Sequence, residues 1–260
     1  MALGNITVVK IGGNVIDNDE ALERFVADFA ALPAPKMLIH GGGKLATRLC
    51  EQLEIPTTMV GGRRVTDRQT LDICTMVYAG LINKRIVAAL QAQGCNAIGL
   101  TGADGAALPA QRRNPEPIDF GFVGDIVQGE VNTELMGTLL EKGITPVFCA
   151  ITYDRNGGLL NSNADSVASA VAIAASTLAT TDLVFCFEKQ GVLRDVEDES
   201  SVIAEIRPES YATLREEGVI YTGMLPKIDN AFAAVRAGVN SVTIKHSDNL
   251  LSQSGTTIKL

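Results

Sequence analysis

Histidine is nearly missing from this chain: His40 and His246 are the only two in 260 residues. A multi-histidine metal centre is therefore excluded. Cysteine occurs five times, at Cys50, Cys74, Cys95, Cys149 and Cys186, an odd count with no C-x-x-C spacing. These thiols sit mostly in apolar runs and read as buried and free, which fits a reducing, cytoplasmic location. Positive charge is also short. Against 30 Asp and Glu stand 22 Lys and Arg, a net charge of −8, which argues against broad nucleic-acid or membrane-surface binding. Any anionic ligand must then be met by local cations and backbone amides. The longest mostly apolar segment, Val167 to Ala179, falls short of the roughly 20 residues a membrane span needs. Met1 to Lys10 runs straight into a strand, without a cleavable apolar stretch. Internal repeats and low-complexity tracts are absent too.

What is present is ordinary globular composition, 46% hydrophobic and 20% charged, in a chain long enough for one large or two modest domains. Short apolar runs at Ile6–Ile11, Met37–His40, Ala97–Leu100, Thr145–Cys149, Leu183–Phe187 and Val242–Lys245 read as buried strands. Helical patterns at Asp19–Ala31, Lys44–Leu53, Asp67–Gln93, Thr133–Lys142, Ala164–Leu178 and Lys227–Ala237 separate several of them. This alternation predicts an α/β fold with a mostly parallel central sheet sandwiched between helices. Pro109 to Gln128 and Tyr153 to Leu160 break the alternation and read as hairpins. Leu178 to Asp182 is the best boundary, giving an N-terminal lobe 1–178 and a C-terminal lobe 179–260. The helix from Asp67, with Thr66 as its expected N-cap, carries a stripe of Leu71, Cys74, Tyr78, Leu81 and Ile82, with Ile73 and Met76 off it. Its wide apolar surface suits a helix shared between core and a homodimer partner.

Two glycine turns carry the chemistry. The first is Lys10-Ile-Gly12-Gly13, and the second is His40-Gly41-Gly42-Gly43, each behind a strand. Such turns let backbone N–H groups approach an anion, and Lys10 adds a mobile cation. The second turn is not a P-loop, because Lys44 is followed by Leu45. Gly41-x-Gly43-x-x-Ala46 meets the loose dinucleotide pattern, but Pro56 to Gly62 lacks the companion acid. Gly61-Gly62-Arg63-Arg64 suits carboxylate capture by paired guanidinium donors. Asn161-Ser162-Asn163-Ala164-Asp165 offers more polar groups than one helix cap needs, so its amides suit a small polar ligand and Asp165 suits orienting lysines. Lys227 stands in the first turn of a helix, where the dipole disfavours a cation and a bound phosphate would offset the cost. Together these suit phosphoryl transfer to a carboxylate, which is already ionised at neutral pH and needs no general base.

In this order, Lys10-Ile-Gly-Gly, His40-Gly-Gly-Gly, Arg64-Val-Thr, Asn161-x-Asn-Ala-Asp165 and Gly223-Met-x-x-Lys227 resemble the acylglutamate branch of the amino acid kinase family. The resemblance covers nearly the whole chain and includes Phe122 to Val127, which looks like that family's substrate-covering hairpin. It implies ATP-dependent phosphorylation of the γ-carboxylate of an N-acylated glutamate, N-acetylglutamate first, the second step of arginine synthesis. It makes Lys10 and Lys227 the transition-state stabilisers and Asp165 their organiser. Gly42, Gly43, Arg64, Asn161 and Asn163 would hold the acyl amino acid. Gly12, Gly13, Glu188, Gln190, Gly191, Val192, Leu193, Val219, Ile220, Tyr221, Gly223 and Met224 would border ATP, with Mg2+ brought mainly by the nucleotide's phosphates. Alternatives within the fold are aspartate- or aminoadipate-type kinases, and outside catalysis a non-catalytic amino-acid sensor. Two positions depart from the family pattern. Glu188 stands where Asp is usual, and Arg63 where an apolar residue is common, which raises the idea of an acyl group with its own carboxylate, as in N-succinylglutamate, met by Arg63 or the Arg112-Arg113 pair. Only nine residues precede Lys10, so the expectation is a homodimer without arginine feedback.

Overall fold

The computed structural model describes residues 3–195, 197–220 and 224–260, with nothing placed for the side chain of Pro226. Among the described residues one eight-stranded sheet dominates. Its order is Glu205–Ile206, Thr256–Ile258, Ser241–His246, Thr181–Phe187, Ile6–Ile11, Lys36–His40, Thr145–Cys149 and Ala97–Leu100. All neighbours are parallel except Ser241–His246 with Thr256–Ile258. Lys36–His40 and Thr145–Cys149 are buried at every position. Such runs are expected of parallel strands covered by helices on both faces. Phe25, Phe29, Phe148 and Ile86 are among the largest fully buried side chains of the core around them.

Topology decides where the chemistry sits. The strand Ile6–Ile11 pairs on one side with Lys36–His40 and on the other with Thr181–Phe187. Chain order therefore reverses direction at this central strand, and ligands of open α/β sheets bind at the carboxyl ends beside such a switch. Both glycine turns follow the carboxyl ends of adjacent strands there. Three two-stranded hairpins accompany the sheet: Thr58–Val60 with Arg63–Val65, Ala110–Arg112 with Gly124–Ile126, and Ile151–Tyr153 with Leu159–Asn161. The last two match the expected hairpins. The first places Arg63 and Arg64 on a strand.

Three expectations need correction. The N-cap of the long helix is Asp67, whose carboxylate accepts from Thr70 N at 2.8 Å, and not Thr66. Thr66 is fully buried and serves the site instead. The apolar stripe also fails at Leu81, which is exposed, while Ile73 is buried. Ile73 is buried on a face wider than that stripe, whereas at Leu81 the cause is a wide π-helical stretch, Met76–Ile82, between the α-helical Arg68–Thr75 and Asn83–Ala92. Its i→i+5 turns shift the phase of every later side chain. Finally, the segment Arg68–Ala92 is, by length and apolar composition alone, sufficient to cross a membrane, which Val167 to Ala179 is not. Its Leu71, Cys74, Val77, Ile82, Ile86 and Leu90 are instead buried in the fold.

All five cysteines are free and buried. Burial pushes the Cys149 and Cys186 thiols up to about 12, so they are inert at neutral pH.

Candidate active site

Lys10 lies near the carboxyl end of the central strand and is almost fully buried. Its Nζ forms an ion pair with Asp165 Oδ1 at 2.7 Å. Asp165 occupies the first turn of the helix Ala164–Ala175, where an acid suits the dipole. Asn163 caps that helix, its Oδ1 accepting from the N–H groups of Asp165 and Ser166. The cap thus fixes the backbone that carries the carboxylate.

The second lysine arrives from the other end of the chain. Lys227 sits in the first turn of the helix Leu225–Arg236, two residues inside its start. Its Nζ lies 3.5 Å from the centroid of the Phe187 ring, and Lys10 Nζ lies 5.5 Å from the same ring. Desolvation holds Lys227 below the ordinary lysine value, the nearby Lys10 adds to that, and Asp165 and Glu188 oppose it. Two cations, one carboxylate and one aromatic face therefore converge. An arrangement of this kind is poised for a multiply charged anion, which would relieve the repulsion between the lysines.

A polar cavity of about 210 Å³ opens on one side of this junction. Gly41, Gly42, Gly43, Arg64, Asn161 and Asn163 line it, so all five residues expected to hold an amino acid face one space. Gly42 must be glycine on packing grounds. A Cβ there would come within 2.4 Å of Ile82 Cδ1 and 2.8 Å of Tyr78 Cδ1. Arg64 is buried, and its Nη2 donates to Gly43 O at 2.9 Å and Thr47 Oγ1 at 2.7 Å. Its Nη1 is buried and has no protein partner among the described residues. A buried guanidinium N–H left unsatisfied is costly, so this edge points to an absent acceptor. Asn161 Nδ2 donates to Thr66 Oγ1 at 3.0 Å, and Thr66 Oγ1 in turn donates to Arg64 O. The expected covering hairpin closes above, with Val123 in the cavity wall and Asn161 N donating to Phe122 O.

His40 holds the second glycine turn in place. Its fully buried imidazole is pushed down to about 4 by desolvation and is neutral at pH 7. Nδ1 then donates to Gly41 O at 2.8 Å, and Nε2 accepts from Asn83 Nδ2 at 3.0 Å. Asn83 also donates to Val147 O, tying the turn to the long helix and the next strand. The motif marked His40 in the sequence; its supporting role is visible only once Asn83 is brought beside it.

A larger cavity of about 290 Å³ lies on the far side of Lys227, with Phe187, Glu188, Gly191, Val192, Leu193, Ile220, Met224 and Ile244 in its wall. Six residues expected to border a nucleotide are here. Gln190 and Val219 are not: Gln190 Oε1 accepts from Asn249 Nδ2, and Val219 N donates to Leu214 O. Gly12 and Gly13 line neither cavity; a Cβ on Gly12 would stand 3.9 Å from Lys10 Nζ. Tyr221 and Gly223 lie outside the described residues. Phe187 and Ile244 escaped the sequence reading because an apolar residue at a strand end looks like core until the cavity beside it is known.

The model of the amino acid kinase family matches residues 5–246. An acetylglutamate kinase of Cytophaga hutchinsonii is 52% identical over 245 residues, covering 94% of this chain and 92% of its own. One from Phocaeicola vulgatus is 46% identical, covering 98% of each, and one from Methanopyrus kandleri is 39% identical, covering 97% and 99%. Among solved structures, an N-acetylglutamate synthase of Neisseria gonorrhoeae superposes with a TM-score of 0.82 at 22% identity, over 98% of this chain and 59% of that one. At that identity the likeness shows the fold alone. A switch-point site with two converging lysines, and near full-length identity to such kinases, give one result: the chain belongs to the amino acid kinase family.

Proposed function

We propose that this protein transfers the γ-phosphoryl group of ATP to the γ-carboxylate of an N-acylated L-glutamate, N-acetyl-L-glutamate in the first instance. This is the second step of arginine synthesis. The observation that carries the reading is the junction of Lys10, Asp165 and Lys227 beside an arginine-lined cavity and a mainly apolar one. The acyl-glutamate takes the first cavity, with its α-carboxylate on Arg64 Nη1. The nucleotide takes the second, with its phosphates on Lys227. One oxygen of the acceptor carboxylate bonds to the γ-phosphorus as the bond from that phosphorus to the β,γ-bridging oxygen breaks. The electron pair leaves with ADP, and the product is an acyl phosphate. No proton moves, so no general base is needed. The barrier is repulsion between two anions, and the two lysines offset it while Asp165 keeps Lys10 aimed.

Asp165 is engaged with Lys10, and among the described residues no three His, Cys, Asp or Glu side chains converge. That donor set does not fit a protein-held ion; Mg2+ enters as the counter-ion of ATP, through its phosphates. The first cavity is lined by residues numbered 41 to 164 and the second by 187 to 244, which supports lobes of 1–178 and 179–260. The exposed Met76 and Leu81 on the long helix support a homodimer, and five free thiols support a reducing cytoplasm. Hydroxylamine trapping tests the chemistry. With ATP and N-acetyl-L-glutamate, ADP and a glutamyl hydroxamate should accumulate in equal amounts. Binding of both ligands without turnover would instead make this a sensor.

A further inference from the structure

The acceptor cavity carries more positive charge than N-acetylglutamate can use. Three guanidinium groups line it, those of Arg63, Arg64 and Arg113, and among the described residues no Asp or Glu does, although Asp125 pairs with Arg113 from behind. On the proposed function, N-acetylglutamate brings two carboxylates. Its γ-carboxylate must face the lysines, and its α-carboxylate satisfies Arg64. Its acetyl group adds only a neutral carbonyl oxygen, and its methyl has no use for a cation.

Arg113 is nevertheless built as a receptor. It stands beside the Ala110–Arg112 strand, where its backbone N–H donates to Val123 O at 2.8 Å. Asp125 across the hairpin grips one edge of its guanidinium, accepting from Nε at 3.0 Å and also from Nη2. The remaining nitrogen, Nη1, is buried without a protein partner among the described residues. Asp125 therefore fixes the plane of the fork and leaves its other edge unsatisfied, as Arg64 is left unsatisfied deeper in. Two such edges on one small cavity are met best by two anionic acceptors besides the reacting group, whereas the amide carbonyl that every N-acyl-glutamate carries supplies only a neutral one. Arg63, exposed on the rim next to Gly62, adds a third positive head.

We infer that the preferred acceptor is an N-acyl-L-glutamate whose acyl chain itself ends in a carboxylate, a dicarboxylic monoamide such as the N-succinyl compound. Arg113 and Arg63 receive that terminal carboxylate. This rests on the kinase reading above and specifies its substrate class. A charged hydrogen-bonded contact of this kind is worth about 10- to 100-fold in selectivity.

The test is ADP release by the full chain with N-acetyl-, N-butanoyl- and N-succinyl-L-glutamate. The butanoyl compound matches the succinyl chain in length without its charge. Wild type should favour the succinyl over both neutral compounds by at least about tenfold in kcat/KM. Arg113→Gln and Arg63→Ala should each lower that succinyl-to-butanoyl ratio severalfold or more. Arg63→Ala, at an exposed position, keeps the test decisive if Arg113→Gln fails to fold. Equal or better use of the acetyl compound by wild type overturns the inference and leaves the kinase intact. A succinyl preference untouched in both folded variants also overturns it. If none of the three is phosphorylated, the kinase reading falls and takes the inference with it.

Discussion

The two cavities differ in how they hold a ligand. The acceptor cavity is framed by hydrogen bonds: Arg64 on Gly43 and Thr47, Asn161 on Thr66, His40 on Gly41. The nucleotide cavity is walled mainly by apolar side chains such as Val192, Leu193, Ile220 and Ile244, with charge at its Lys227 edge. A small polyanion must be recognised by direction, and each polar contact fixes one group. A flat purine can be recognised by shape and burial, with charge needed only at the phosphates. On the proposed function, catalysis falls at neither cavity but at the lysines where they meet.

The largest expected effect lies at that meeting point. Lys227→Ala should lower kcat by about 100- to 1,000-fold, as loss of a transition-state donor does, with KM values moving far less. Steady-state kinetics with both substrates check this, and a retained kcat would dissolve the distinction between cavities and junction. Next, Arg64→Ala should raise KM for the acyl-glutamate by about 10- to 100-fold while KM for ATP stays within a few fold. Equal rises in both would mean the cavities are one. Gly42→Ala should destabilise the fold by about 1–3 kcal/mol, because its new methyl overlaps Ile82 and Tyr78. Thermal unfolding measures that.

A further effect is a pH dependence on the acceptor side. The buried His40 sits at about 4, below the ordinary 6.5, so the unfolded chain takes up its proton first. Stability from this group is complete above about pH 6.5 and is lost as pH falls towards 4, by up to about 3 kcal/mol. Urea unfolding at intervals from pH 7 to 4 should show the loss, and His40→Gln should blunt it. An unchanged profile in that variant would remove His40 from its supporting role.

The same contrast explains what the sequence revealed. Acceptor residues stood out because direction demands particular polar types, and those types cluster at Gly41–Gly43, Arg63–Arg64 and Asn161–Asp165. The core strands stood out because burial on two faces leaves continuous apolar runs, so Ile6–Ile11 and Thr145–Cys149 matched residue for residue. The nucleotide wall was half visible. Gly191 to Leu193 form a turn with glycine punctuation, whereas Phe187 and Ile244 look like any strand residue. The π-helical stretch was invisible because nothing in Met76 to Ile82 distinguishes a wide turn from an ordinary one until side chains pack. Thr66 was misread as a cap because its partner, Asn161, lies 95 residues away in sequence.

On the proposed function the cavities bind and the lysine junction transfers. Lys10→Ala tests it most directly, with calorimetric Kd values for the acyl-glutamate and a non-hydrolysable ATP analogue set beside kcat. Each Kd should shift by less than about tenfold while kcat falls about 100- to 1,000-fold. A loss of either affinity as large as the loss of turnover would contradict the account, because Lys10 would then be a binding residue and no more.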